Sequence, residues 1–173
     1  MKIPNPNNKI KHQIHSGAVN ESRFVNIIKR YTDVLYRNKR VRTCLTDSGT
    51  TEIDILFAYQ DTIFIIEAKN IIALEGKLYQ RNWRYKARTV EFIALNPIVQ
   101  NKIHVRAFKN NFFKMFGYYP QVQSFVVVPN NSVFDDTLTS EILTLSDFDD
   151  YLFHYQNPSK PNKYLKYQLK RMF

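Results

Sequence analysis

The sequence predicts an α/β fold with a mixed central β-sheet flanked by helices. Two stretches, residues 20–36 and 96–116, carry apolar residues at the spacing of amphipathic helices. Strand patterns occur at residues 40–46, at 51–70, which holds two strands, and at 122–128. The order helix, three strands, helix, strand is typical of an α/β domain.

The first predicted helix begins at Asn20, a residue type that caps helix N-termini. Its apolar stripe comprises Phe24, Ile27, Ile28, Tyr31 and Leu35. Glu21 lies three residues before Phe24 and seven before Ile28, so it shares their inward face. This acid either stabilises the helix N-terminus through the helix dipole or serves a function at the sheet.

Residues 51–70 predict a β-hairpin with a tight turn at Gln60 and Asp61. In that register Tyr59 faces Thr62 across the two antiparallel strands. The apolar runs on both sides of the turn indicate that the hairpin is buried.

The same register places Asp54 opposite Glu67. Opposed side chains in such a ladder have Cβ atoms ~5 Å apart, and facing like charges are destabilising unless something neutralises them. A divalent cation would do so. Because side chains alternate along a strand, Lys69 shares a face with Glu67, and two carboxylates and an ammonium converge.

The second half of the chain begins with a long helix. Asn96 is its predicted N-cap, Pro97 occupies its first position, and Gly117 ends it. Ser146 with Asp149 resembles a capping arrangement for a further short helix.

Length and composition predict one globular domain, since the chain has 173 residues of which 44% are hydrophobic. We expect a flexible polar N-terminus at 1–15, a folded domain at 16–156 and a basic segment at 157–173, either an amphipathic helix or a frayed tail. No apolar run reaches the ~20 residues of a membrane span and no signal peptide is visible, which predicts a cytoplasmic protein. Cys44 is the only cysteine, which excludes an internal disulfide and a thiolate zinc site, and the four histidines are too scattered to replace it.

The net charge of +10 is unevenly distributed. Residues 1–46 carry 10 basic and 2 acidic side chains, a net charge of +8, whereas residues 47–100 carry 6 basic and 7 acidic ones, a net charge of −1. Residues 101–125 contribute +4, 126–156 contribute −6 and 157–173 contribute +5. This charge distribution is typical of a protein whose basic segments bind a polyanion around an acidic site. The alternative is that the basic residues form an ordinary solvated surface.

Several short motifs follow one another along the chain. They are a glycine and a glutamate at the first helix (Gly17 and Glu21), an Ile-Asp dipeptide (Ile53-Asp54), an Ile-Glu-x-Lys-Asn strand (Ile66-Glu67-Ala68-Lys69-Asn70), a later tryptophan (Trp83) and an Asn-Pro-x-x-Gln-Asn helix start (Asn96-Pro97 with Gln100-Asn101). Together and in this order they resemble the nuclease-related domain (NERD) family of the PD-(D/E)xK nuclease superfamily. The resemblance covers residues 16–152 and implies a restriction-endonuclease-like fold with an αβββαβ core.

The predicted active site consists of Asp54, Glu67, Lys69, Glu21 and Gln100. Asp54 and Glu67 offer hard oxygen ligands for Mg²⁺ or Mn²⁺, and the resemblance implies the backbone carbonyl of Ala68 as a third ligand. We expect Lys69 to orient the attacking water and stabilise negative charge.

Two of these residues have weaker support. Glu21 is a candidate outer ligand that holds a metal-bound water. Gln100 lies at a helix N-terminus, where it could contact phosphate or water, or merely hydrogen-bond the helix end.

A stretch that interleaves aromatic and basic residues follows the hairpin and predicts short strands. Arg84, Lys86 and Arg88 alternate there with aromatic residues, as in a nucleic-acid groove. Together with Lys102 they are the predicted nucleic-acid-binding residues. A half-buried sheet edge with Trp83 in the core is the alternative.

The sequence therefore predicts a Mg²⁺- or Mn²⁺-dependent nuclease that acts on DNA as an endonuclease, without membrane binding. RNA as substrate, exonuclease action and the number of metals stay open, as does the oligomeric state. A noncatalytic nucleic-acid-binding module with the same fold is the second hypothesis. A basic protein that docks acidic partners or membranes through residues 163–173 is the third.

Overall fold

The computed structural model describes residues 22–87, 90–138, 140–156 and 164–173. Its strands are β1 (Leu35–Arg42), β2 (Thr50–Tyr59), β3 (Thr62–Ala68), β4 (Ala73–Glu75), β5 (Asn82–Lys86), β6 (Glu91–Leu95), β7 (Val122–Val128) and β8 (Ile142–Thr144). Its helices are α1 (residues 22–28), α2 (Pro97–Phe116), α3 (Leu145–His154) and α4 (Leu165–Met172), with a short 3₁₀ helix at Asp136–Leu138.

The main sheet has five strands in the order β1-β2-β3-β7-β8. β1, β2 and β3 form an antiparallel meander, whereas β7 pairs parallel to β3 and β8 parallel to β7. β4, β5 and β6 form a separate antiparallel sheet. The predicted α/β fold with a mixed sheet is confirmed.

Helices cover both faces of the main sheet. On one face Ala107, Phe108 and Phe112 of α2 and Leu165 and Leu169 of α4 pack against β2 and β3. On the other face α1 and α3 bury an aromatic-rich cluster that includes Phe24, Phe57, Phe64 and Phe148. This layering is consistent with a restriction-endonuclease-like fold.

The hairpin between β2 and β3 forms as predicted. Gln60 and Asp61 have φ values of 46° and 61°, the left-handed conformation that a two-residue hairpin turn requires at both positions. Tyr59 pairs with Thr62, and the register continues to Ile55 and Ile66.

Both predicted ends of α2 are confirmed. The Asn96 side chain accepts hydrogen bonds from the amides of Ile98 (2.9 Å) and Val99 (3.4 Å), and its amide group donates to carbonyls of the loop between β4 and β5. Gly117 ends the helix with φ 79°, a conformation that favours glycine.

Two predicted boundaries were wrong. The first helix does not extend to residue 36: it ends at residue 28 and is followed by a turn, and Leu35 already pairs with Phe57 in β1. Strand β1 accordingly runs over Leu35–Arg42 and not over residues 40–46. Long-range strand pairing overrides the helical periodicity here.

The cap of α3 lies two residues earlier than predicted. Thr144 and Asp147 form a reciprocal capping box. Asp149 instead accepts hydrogen bonds from Arg30 (2.5 Å) and from the Tyr31 hydroxyl (2.7 Å), which ties α3 to the end of α1.

The small sheet is built around Trp83, which is 1% exposed and donates from Nε1 to the Lys77 carbonyl at 2.9 Å. A Cβ on Gly76 would lie 2.2 Å from the Trp83 ring, so this position requires glycine. The core position predicted for Trp83 is confirmed.

In the part of the chain that the structure describes, no helix combines the length and apolar character needed to cross a membrane. Of the predicted segments, residues 1–15 lie outside the described residues. The division into a domain at 16–156 and a segment at 157–173 stays a prediction, although α4 of that segment packs into the main core.

Candidate active site

Strand β2 loses its regular side-chain alternation at Asp54. Ile53 and Leu56 both join the core on the α2 face, whereas Ile55 joins the core on the opposite face. In the neighbouring strand β1, Asn38 lies opposite Asp54 and has a φ of 51°. The residues on either side of Asn38 and Asp54 are paired in the ladder between β1 and β2. Asn tolerates this left-handed conformation better than most residues, and backbone strain of this kind is common at functional sites.

The Asp54 carboxylate reaches the end of β3. Its Oδ2 accepts a hydrogen bond from the Ala68 amide at 3.0 Å. Asp54, Ala68 and Lys69 line a pocket of about 240 Å³, together with apolar residues that include Phe24 and Leu145. The pocket therefore lies where β2 and the end of β3 bring Asp54 and Lys69 together.

Glu67 and Lys69 form an ion pair beside this pocket. Lys69 Nζ lies 2.6 Å from Oε1 of Glu67, whose side chain is only 1% exposed. The same ammonium donates to Oε1 of Gln100 at 3.2 Å. Gln100 lies in the first turn of α2, which packs against β3 and so brings its side chain over the end of that strand.

His104 is a site residue that sequence reasoning missed. Its Nε2 lies 2.9 Å from Oε2 of Glu67, and its Nδ1 lies 2.7 Å from the Thr51 hydroxyl. His104 and Thr51 are both buried. The available signal was the helical spacing, since His104 follows Gln100 by one turn of α2 and therefore lies on the same face.

The electrostatics of the site converge on Asp54. Burial and the nearby Glu67 carboxylate raise the pKa of Asp54 from 3.8 to about 6. The Ala68 amide, Lys69 and His104 oppose this shift without cancelling it. A carboxyl group with this pKa is mostly ionised at neutral pH, and a cation bound beside it would favour the ionised form further.

The sequence matches the model of one protein family, the nuclease-related domain, over residues 16–129. The chain belongs to the NERD family. The matched range holds all the site residues described above and ends just after β7. Comparison of this NERD chain with curated proteins and with solved structures gave no significant match.

The NERD site offers a small set of possible metal ligands. Among the residues that the structure describes, no three His, Cys, Asp or Glu side chains are grouped so as to hold a metal ion. Two carboxylates, Asp54 and Glu67, are near each other, and backbone carbonyls, water and phosphate oxygens would have to complete the coordination. Mg²⁺ accepts such a set, because it usually keeps several waters and takes only one or two carboxylates.

Both oxygens of Glu67 already have polar partners, Lys69 and His104. A cation bound to Glu67 would therefore share an oxygen with one of them. Lys69 is the more adaptable partner, because its side chain is 23% exposed whereas that of His104 is 3% exposed.

The remaining predicted site residues lie elsewhere in the NERD domain or outside the described part. Arg84 and Lys86 point to solvent from β5 and pair with Glu75 (3.9 Å) and Glu91 (3.4 Å). Lys102 lies on the exposed side of α2. Glu21 and Arg88 fall outside the described residues.

Proposed function

We propose that this NERD-family chain is a Mg²⁺- or Mn²⁺-dependent nuclease that hydrolyses phosphodiester bonds in DNA as an endonuclease. The observation that supports it best is the placement of Lys69, whose ammonium lies between Glu67 and Gln100 beside the pocket that Asp54 lines. Two acids and a lysine at one strand end are what metal-assisted phosphate hydrolysis requires.

In this proposal Asp54, Glu67 and the Ala68 carbonyl would hold the metal ion, which would supply positive charge for the phosphate oxygens and for activation of a water. The buried position of Glu67 and its contact with His104 keep its carboxylate fixed. The Ala68 amide does the same for Asp54. Ligands held in this way lose little conformational freedom when the metal ion binds.

Lys69 and Gln100 act on the reacting groups. The Lys69 ammonium stabilises the negative charge that develops on the phosphate and orients the water that attacks it. Gln100 holds Lys69 through its side-chain carbonyl, and its amide group is left to contact phosphate or water. Glu21, which lies outside the described residues, is proposed to hold a water of the metal ion.

One observation favours the second candidate function, a noncatalytic nucleic-acid-binding module. Lys69 and His104 occupy both oxygens of Glu67, and such a closed set of contacts stabilises a fold without any metal ion. This candidate predicts salt-sensitive DNA binding with no strand breaks.

The test is incubation of the purified protein with supercoiled and linear DNA, in Mg²⁺, in Mn²⁺ and in chelator. We expect nicking and linearisation of the circle with metal only. Asp54→Asn and Lys69→Ala should lower the rate at least ~100-fold, as loss of one charge-stabilising group does in other enzymes.

Matched controls are Asp33→Asn and Lys170→Ala, which change the same residue types at exposed positions. They should leave the rate unchanged. No cleavage under any metal condition, or equal cleavage by the site variants and the controls, would remove the proposal. Cleavage of linear DNA alone would change the assignment to an exonuclease.

A cytoplasmic location, and RNA as a further substrate, stay predictions from the sequence. The docking hypothesis has less support, because the apolar side of α4 packs against α2: Leu165 and Leu169 are buried there. That side of the helix is therefore occupied.

A further inference from the structure

A basic groove runs along the solvent side of α2. Lys102, Arg106 and Lys109 are spaced by four and three residues, so they form a single stripe on the helix. All three line the groove, together with Asn110 and with Ser124 of β7. The groove is therefore closed on one side by the main sheet and lined by cations on the other.

This groove is separate from the candidate active site. Gln100 and His104 contact Lys69 and Glu67 from one flank of α2. Two helical residues correspond to about 200° of rotation, so Lys102 points to the other flank.

The cations of the groove are partly fixed in place. Lys109 Nζ lies 5.9 Å from the centre of the Tyr119 ring, within the range of a cation–π contact. Lys102 Nζ lies 3.3 Å from Oε1 of Glu141, yet its side chain remains 59% exposed. Fixed side chains lose less entropy on binding an anion than freely rotating ones do.

An exposed aromatic pair adjoins the groove, because Tyr119 is one of the residues that line it. The rings of Phe113 and Tyr119 stack with centroids 4.6 Å apart and 17° between their planes. Phe113 is 42% exposed and Tyr119 is 57% exposed. Large aromatic side chains with this exposure, beside a row of cations, offer a surface on which an unpaired base can stack.

We propose that this groove binds single-stranded nucleic acid, with its phosphates along Lys102, Arg106 and Lys109 and a base on the Phe113–Tyr119 pair. The choice of a single strand follows from the aromatic pair, because bases within a duplex are already stacked on each other. This inference rests on the proposed function, because that function makes nucleic acid the expected class of ligand. It gives the protein a second contact to the strand, away from the site of cleavage.

The test is the fluorescence anisotropy of a labelled oligothymidylate, titrated with protein in EDTA at several salt concentrations. The Asp54→Asn background is used throughout, so that no strand is cut. Arg106→Glu with Lys109→Glu should weaken binding at least ~10-fold and reduce the slope of log K against log salt by about 1.4, since each single-strand phosphate contact contributes about 0.7.

The matched control is Lys170→Glu with Arg171→Glu on α4, which changes the net charge equally at exposed positions. Its affinity and salt slope should stay close to those of the parent. Equal slopes and affinities for the groove variant and this control would overturn the proposal.

A second variant, Phe113→Ser with Tyr119→Ser, tests the aromatic pair. It should weaken oligothymidylate binding about tenfold, in the range found when one stacking residue is removed, and leave binding of a duplex of the same length almost unchanged. Duplex binding as tight as single-strand binding, with no effect of this variant, would refute the single-strand assignment. Because binding is measured without cleavage, its outcome is independent of whether the protein is a nuclease.

Discussion

His104 Nε2 lies 2.9 Å from Oε2 of Glu67, and both side chains are almost fully buried. The Thr51 hydroxyl holds the opposite nitrogen of the ring at 2.7 Å. The histidine thus links the first residues of β2 to the acid at the end of β3. Together with Lys69, which pairs with the other oxygen, it makes a buried carboxylate tolerable at this position.

His104→Leu should therefore destabilise the protein strongly. Removal of His104 leaves one oxygen of the buried Glu67 carboxylate without a hydrogen bond, while Lys69 still pairs with the other, and such a loss costs about 1–3 kcal/mol. His104→Gln, which can still donate a hydrogen bond to Glu67, should cost less. Urea unfolding at neutral pH measures the difference, with His154→Leu on the exposed end of α3 as the control. Equal stability of His104→Leu and His154→Leu would contradict this role.

Stability should depend on pH through Asp54. Its pKa of about 6 in the folded state lies above the ordinary value of 3.8, so the folded protein binds this proton more tightly than the unfolded chain. The free energy of unfolding should then fall by up to about 3 kcal/mol as the pH rises from 4 to 7. The stabilisation that this pKa shift provides is complete below pH 4 and is lost above pH 6.

Denaturation in EDTA across this pH range provides the measurement. Asp54→Asn should flatten the fall and keep the hydrogen bond from the Ala68 amide. The control Asp33→Asn, at an exposed position, should show the same fall in stability with pH as the parent. A pH profile that is the same in Asp54→Asn and in the parent would assign the titration to another group.

Mn²⁺ should raise the melting temperature of the wild-type protein in the absence of any nucleic acid. A ligand at 100 times its dissociation constant stabilises a fold by about 2.7 kcal/mol. Asp54→Asn should remove most of this gain, whereas Asp33→Asn should keep it. A shift of equal size in all three proteins would indicate binding of the ion elsewhere.

Gly76→Ala should disrupt the small sheet. The new methyl group would lie 2.2 Å from the Trp83 ring, and the ring is too buried to move away. We expect a loss of about 3 kcal/mol, at the upper end of what overpacking costs. Circular dichroism during urea unfolding gives the value, and Gly49→Ala serves as the control, because its Cβ would meet open space and only a φ of 69° opposes it. Equal losses would show that the Trp83 contact is relieved without cost.

Asn96→Ala should cost more than the loss of an ordinary helix cap, which is about 1 kcal/mol. Asn96 is fully buried and also donates to the carbonyls of Leu78 and Gln80, so its removal leaves two further groups unpaired. Thr144→Ala, at the exposed cap of α3, is the comparison. The two unfolding free energies should differ by about 1 kcal/mol or more, and a smaller cost at Asn96 would argue against the link to the loop.

The parts of the fold that were predicted correctly from the sequence are those determined by residues close together along the chain. The turn at Gln60 and Asp61 and the two ends of α2 depend on local backbone preferences, which a sequence pattern records directly. The pairing of Tyr59 with Thr62 then follows from the turn. The hairpin brings Asp54 to the end of β3, but the predicted pairing of Asp54 with Glu67 does not form, because the ladder ends at Ile55 and Ile66 and Asp54 accepts from the Ala68 amide.

The parts that it did not predict depend on contacts between distant segments. Nothing local indicates that residue 35 pairs with Phe57 and so ends the helical pattern early. The contact of His104 with Glu67 requires α2 to lie over β3 in one particular position. Likewise the break at Asp54 involves Asn38 in another strand, which no periodicity within β2 could reveal.

Trp83 is the only tryptophan in the chain and lies in the core of the small sheet. Its emission spectrum will therefore report on the core that the small sheet shares with β7, β8 and the start of α2, whereas the ellipticity near 222 nm is dominated by the long helix α2 and the other helices. Comparing the two signals in a single denaturation experiment would tell whether the protein comes apart in one step or the small sheet melts first.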